Sequence, residues 1–130
     1  GKNILKTLNK YYPTDLGIAQ IKNNNPEFKS YIVLENIVYN ELIIRGYEVY
    51  IGKTKNSEID FIAKKDGNTK YIQVTYEMLG NDRAIEREFN AYKSIDDNYP
   101  KYIISLDKVN LSKEGIIHLN LIDFLLSSEF

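Results

Sequence analysis

The residues whose types and spacing could do chemistry lie between Glu58 and Tyr76, in the stretch EIDFIAKKDGNTKYIQVTY. Two runs of alternating apolar and polar residues flank Asp66-Gly67, a dipeptide that favours the tight turn of a β-hairpin. Paired positions in a hairpin have a constant sum, so a two-residue loop sets Lys65 against Asn68 and Asp60 against Gln73. A four-residue loop sets Asp60 against Thr75 instead. In both registers Glu58, Asp60, Gln73 and Thr75 share one face, while Ile59, Phe61, Ile72 and Val74 share the other. The apolar face is core. The polar face reads either as a solvated sheet surface, the ordinary condition of a half-exposed hairpin, or as a site for metal-dependent phosphodiester cleavage, intact or stripped of its working parts.

The surrounding elements must hold these groups in place. A helix is expected from Phe28 to Arg45, apolar over a broad arc and therefore largely buried, with Gly46 as its C-terminal cap. Tyr47, Val49 and Ile51 alternate with polar neighbours as a strand does, and KTKNS follows as a polar loop. After the hairpin strands, Glu58 to Lys65 and Lys70 to Tyr76, a second helix starts near Gly80 to Asp82. Asn81 or Asp82 can cap it, and Ile85, Phe89 and Tyr92 fall on one face. Asn98-Tyr99-Pro100 ends it, KYIISL is a buried strand, and GIIHLNLIDFLLS reads as a strand running into a short helix. Ahead of the loop NNNPE the signals are weak: a short strand around Lys10 to Tyr12 and a helical turn near Leu16 to Ile21. Helix, three strands, helix, strand, then strand and helix predicts one mixed sheet with helices packed on it, an α/β (α+β) arrangement.

Composition narrows the function classes. The 130 residues are 43% hydrophobic and 27% charged, enough for one domain with a single sizeable core. Seventeen basic and eighteen acidic side chains nearly cancel, which argues against a dedicated electrostatic nucleic-acid binder. With no cysteine and one histidine, thiolate sites and most zinc sites are excluded. No apolar run approaches a membrane span and no signal peptide is visible, so a soluble cytoplasmic protein without membrane partners is expected. No glycine loop that cradles phosphates is present, so no ATP site is expected in this chain. His118, between Ile117 and Leu119, is expected as an exposed strand residue. Lys53, Lys55 and Lys64, with Lys65 and Lys70, are candidates for phosphate contacts, or equally for protecting sheet edges.

The order of groups carries a resemblance. GYEVYIGKTKNSEIDFIAKKDGNTKYIQV, preceded by a helix with Glu35 and followed by IEREFNAY, resembles the PD-(D/E)XK nuclease fold. More narrowly, KYYPTDLGI, LENIVYNELIIRGYEVY, EIDF, YIQVTY, EREF and NYPKYIISLD are similar to a domain of unknown function at the C-terminus of bacterial and archaeal AAA+ family ATPases. The resemblance runs from about Lys10 to Leu126. It implies a restriction-endonuclease-like core over residues 28–130, with residues 1–27 the tail of a preceding winged-helix-like segment or a linker. It also implies an ATPase module upstream in the same protein.

In active members of that superfamily, carboxylates hold Mg²⁺ and a lysine stabilises developing charge. By position, Asp60 matches the strand Asp, Gln73 the second acid, Thr75 the lysine and Glu35 the helix Glu, so Asp60 and Glu35 are the implied metal ligands. Gln73 offers an amide oxygen without charge, and Thr75 no positive charge, so the implied catalytic set is degenerate. Glu58 offers a nearby carboxylate, and Arg83 and Arg87, one helical turn apart, offer charge, although pairing with Glu86 and Glu88 on the surface is the simpler expectation for both. Three functions are consistent with this pattern. The first is a non-catalytic accessory domain of a AAA+-type ATPase making nucleic-acid or protein contacts. The second is a metal-dependent nuclease with a rearranged site. The third is a protein-interaction module of a toxin–antitoxin-like system that binds no nucleic acid.

Overall fold

The computed structural model describes residues 5–7 and 26–130. The strand and turn expected between Lys10 and Ile21 fall outside the described residues. Helix α1 (Pro26–Ile44) opens on a proline, whose missing N–H costs nothing in a first turn. It closes at Gly46, whose φ of 87° lets the chain reverse. There the Tyr47 N–H donates to the Leu42 carbonyl and the Gly46 N–H to the Ile43 carbonyl, the paired bonds of a Schellman end. Strands β2 (Glu48–Lys53), β3 (Glu58–Lys65) and β4 (Asn68–Val74) follow. Helix α2 (Asp82–Asn90) is capped by the Asn81 side chain, which accepts from the Ala84 N–H. Strands β5 (Lys101–Ser105) and β6 (Ile116–Asn120) lead into helix α3 (Leu121–Leu126), capped by Asn120.

With β1 (Leu5–Thr7), the strands form one six-stranded sheet in the order β1-β2-β3-β4-β5-β6. The pairings from β1 to β4 are antiparallel, and β4-β5 and β5-β6 are parallel. Helices cover both faces. Leu34, Val38 and Leu42 of α1 and Leu121 and Phe124 of α3 pack on Phe61, Ala63, Ile72, Val74 and Ile104. On the opposite face, Ala84 and Phe89 of α2 join Tyr92, Ile59, Ile62, Tyr71 and Ile103. The mixed α/β class predicted from element order is the one observed.

The central hairpin turns at Asp66 and Gly67, both with positive φ, and pairs Lys65 with Asn68, the register of a two-residue loop. The expected division into an apolar and a polar face needs correction at one point. Ile59 packs with Ile62 under α2, whereas Phe61 packs under α1. The cause is a β-bulge: Tyr50 pairs with Ile62 but Gly52 with Ile59, so β3 carries an extra residue between them. Gly52 makes this bulge possible. A Cβ there would lie 2.9 Å from Ile59 Cβ and 3.0 Å from Ile62 Cδ1. Gly52→Ala is therefore expected to destabilise the protein by about 1–3 kcal/mol, read as a lower urea midpoint with an unchanged slope.

Candidate functional site

The bulge lies where β3 and β4 part. Their ladder runs from Lys65↔Asn68 to Phe61↔Ile72 and ends there. The Tyr71 and Thr75 N–H groups donate to β5-side carbonyls, so the Val74 N–H between them faces β3. With the strands separating, a side chain supplies its acceptor: the Val74 N–H donates to Asp60 Oδ2 at 2.8 Å. The reciprocal bond also forms, the Asp60 N–H donating to Gln73 Oε1 at 2.7 Å. Each side chain thus satisfies the other strand's backbone, a clasp that replaces the missing rung of the ladder.

The clasp extends into α2. Gln73 Nε2 donates to Glu88 Oε2 at 3.2 Å. The other Glu88 oxygen accepts from Arg87, from Nε at 3.0 Å and from the outer guanidinium nitrogen at 2.9 Å. That same nitrogen reaches the Tyr31 hydroxyl of α1 at 3.3 Å. Glu88 is only 5% exposed. Burial pushes its carboxyl above the ordinary range, Arg87 and Gln73 pull it back, and the charge of Glu35 pushes it up further.

This geometry explains the residue type at 73. The side chain there must accept from the Asp60 N–H at one end and donate to a carboxylate at the other, which an amide does and an acid at neutral pH does not. Gln73 is fitted to Glu88.

Around the clasp lies a cleft of about 410 Å³ lined by Tyr31 and Glu35 of α1, Glu58 and Asp60 of β3, Gln73 of β4, and Arg87 and Glu88 of α2. Of the sequence-predicted residues, the structure therefore brings together Glu35, Glu58, Asp60, Gln73 and Arg87. It leaves out Thr75 and Arg83. Thr75 is 1% exposed, off the cleft, and its hydroxyl has no hydrogen-bond partner among the described residues. Arg83 is exposed and does not line the cleft. Only the β3 half of the polar face meets solvent, Glu58 being exposed and Asp60 half-buried, while Gln73 of β4 is 7% exposed beneath α2 and Thr75 is buried. The Arg87–Glu88 pair forms as expected, but only its basic member lies at the surface, Arg87 being exposed and Glu88 buried.

Glu88 is the functional residue that sequence reasoning missed. Its signal was helical spacing, since Ala84, Glu88 and Tyr92 succeed one another at i, i+4 and i+8 on the buried stripe. The lysine candidates do not form one patch. Lys53 pairs with Glu58 at one end of β3 and Lys64 with Glu48 at the other, about 20 Å away along the strand. Lys55 lies in the loop beyond Lys53, Lys65 Nζ donates to the Arg45 carbonyl, and Lys70 Nζ sits 4.2 Å from the Phe130 ring centre.

As arranged, these donors do not fit a divalent cation. Among the described residues no three acidic or imidazole side chains converge on one point. Asp60 Oδ2 accepts from the Val74 N–H and Gln73 Oε1 from the Asp60 N–H, so one implied ligand and the residue at the second acid's position serve the backbone.

A second polar cluster sits under the far edge of the sheet. His118, expected to be exposed, is 5% exposed. Its Nε2 is 2.8 Å from Ser105 Oγ, the Ser105 hydroxyl donates to Asp107 Oδ2 at 2.7 Å, and the Leu111 N–H donates to His118 Nδ1 at 3.2 Å. Strand parity does not reveal the layer above: β6 is an edge strand, yet α2 and the loop after β5 close over this face. Burial works against the Asp107 charge, but the Ser105 hydroxyl and the N–H groups of Leu79 and Met78 outweigh it and hold the carboxyl below its ordinary range.

Fold and site together define a mixed α/β domain whose central hairpin is split and closed by a side-chain clasp, beside a cleft flanked by two helices. Among the described residues, no helix is long and apolar enough to cross a membrane. The chain is similar to an uncharacterized protein of Haemophilus influenzae, 35% identical over 127 residues that cover 97% of this chain and 31% of the relative. It therefore spans about a third of that relative's length. No family description matches the chain, and no solved structure matches it.

Proposed function

We propose that this domain is a non-cutting relative of the PD-(D/E)XK nucleases, an accessory module of a longer AAA+-type ATPase that works through nucleic-acid or protein contacts. The observation that carries this reading is the clasp. At the positions where a nuclease core would present two metal-binding acids, Asp60 and Gln73 are engaged in closing the split between β3 and β4. The arrangement of elements supports the fold assignment: a helix, three antiparallel strands, a helix on the opposite face, then a parallel strand beside the third. The relative, in which the matched region is 31% of the length, supports placement in a longer protein.

The test separates architecture from chemistry. Asp60→Ala leaves the Val74 N–H without its acceptor and is expected to lower stability by about 1–3 kcal/mol in urea unfolding. Full retention of stability in that variant would remove the basis of the reading. Binding of labelled duplex and single-stranded DNA, measured against salt concentration, then assigns the partner. Affinity that falls with salt supports nucleic-acid contacts, and no binding at low salt assigns the contacts to protein.

A further inference from the structure

The loop between β5 and β6 does more than connect them. It folds back along the outer edge of β6 and satisfies that strand's open groups. Lys113 and Ile116 exchange N–H···O bonds of 3.1 and 2.9 Å, and the His118 N–H donates to Ser112 Oγ at 2.8 Å. An edge strand so covered offers no free row of donors to another chain. Beneath the loop the imidazole of His118 ties it to the sheet. Because the Leu111 N–H donates to Nδ1, that nitrogen carries no proton, and the ring's proton resides on Nε2. Nε2–H then donates to Ser105 Oγ, whose own proton goes to Asp107. Asp107 in turn accepts from the N–H groups of Met78 and Leu79, just ahead of α2.

We propose that His118 is a proton-sensitive latch: protonation at Nδ1 turns the acceptor of the Leu111 N–H into a donor and releases the loop from the β6 edge. Two donors then face each other, and the new N–H can be satisfied by the Val109 carbonyl, the other loop group that faces the ring. The loop must shift to make that exchange. Asp107 is the charged group that acts on His118. Lys108, Lys113 and Glu114 are exposed on the loop, with Lys113 Nζ 4.6 Å from the Phe89 ring centre. Glu77 in the turn before α2 is exposed, and Glu88 of α2 is directed to Gln73 and Arg87.

The sign follows from linkage. Burial pushes the imidazole below its ordinary value of 6.5, with the Asp107 charge and the Val109 carbonyl working the other way. An open loop, with the ring in water, therefore binds a proton more readily than the closed one. Closure is at full strength above pH 6.5 and weakens by about tenfold per pH unit from there down to the ring's own titration point in the closed state.

Amide hydrogen exchange on the 130-residue chain between pH 7.5 and 5, with an NMR titration of the His118 ring, reads this directly. Protection at Leu111, Ile116 and His118 should fall on acidification below pH 6.5 and level off at the ring's own titration point. Ladder amides of β3 and β4 should keep theirs, and in His118→Gln the three amides should lose their pH dependence. Three results would overturn the latch: protection that holds through the ring's titration, an equal loss in the β3–β4 ladder, or the same pH response in a folded His118→Gln. The wild-type comparison decides even if that variant does not fold.

Discussion

Gln73→Glu, the substitution that restores an acid at the motif position, is expected to destabilise the protein by about 2–4 kcal/mol at neutral pH. The new carboxylate could still accept from the Asp60 N–H, but its other oxygen would face Glu88 Oε2, now 3.2 Å from the Gln73 amide. A donated hydrogen bond would become a repulsion between two carboxylates in a buried site, and one of them must take up a proton. Its folded-state pKa then lies above the unfolded value. The loss is present at neutral pH and recovers as the pH falls through the raised folded value. Pairing the change with Glu88→Gln reverses the bond, the amide at 88 donating to the acid at 73, and should recover most of the lost stability. Urea unfolding of the two single variants and the double variant checks all three expectations. If Gln73→Glu is as stable as the wild type, Glu88 does not select the amide.

Asp107→Ala is expected to cost more, about 3–5 kcal/mol. One carboxylate there accepts from the Ser105 hydroxyl and from the Met78 and Leu79 N–H groups at 2.7, 2.8 and 2.9 Å. Removing it leaves buried donors without acceptors and frees the turn that starts α2. Asp107→Asn keeps one acceptor oxygen but sets its NH₂ group against donors, so it should fall between wild type and Asp107→Ala. The charge also has a pH signature. Its folded-state pKa is depressed, so its stabilisation is present above about pH 4, the ordinary carboxylate value, and is lost as the pH falls through the folded value. Unfolding midpoints of the wild type and Asp107→Asn should accordingly converge in acid.

Local chemistry was the legible part of this fold. Asp66-Gly67 marked the hairpin and left two registers, of which the two-residue one forms, Gly46 marked the end of α1, and Asn81 or Asp82 the start of α2, where Asn81 is the cap, because each signal depends on a few neighbouring residues. Parity was legible only as far as the ladder is regular. One extra residue in β3, between the partners of Tyr50 and Gly52, moved Ile59 to the other face, and the sequence carries no mark of it beyond the glycine itself. The polar row Glu58, Asp60, Gln73 and Thr75 could be recognised as a group, but not what covers it. Whether a polar strand face meets water or a helix depends on long-range packing, and α2 supplied the cover together with Glu88. His118 was misjudged for the same reason, because an edge strand looks exposed until a loop folds over it.

The most direct measurement is cleavage of single- and double-stranded DNA by this chain and by Asp60→Ala, in Mg²⁺ and in Mn²⁺. A clasp whose side chains serve the sheet predicts no metal-dependent products from either protein and a lower unfolding midpoint for Asp60→Ala. Metal-dependent products from the wild type that disappear in a folded Asp60→Ala would contradict it.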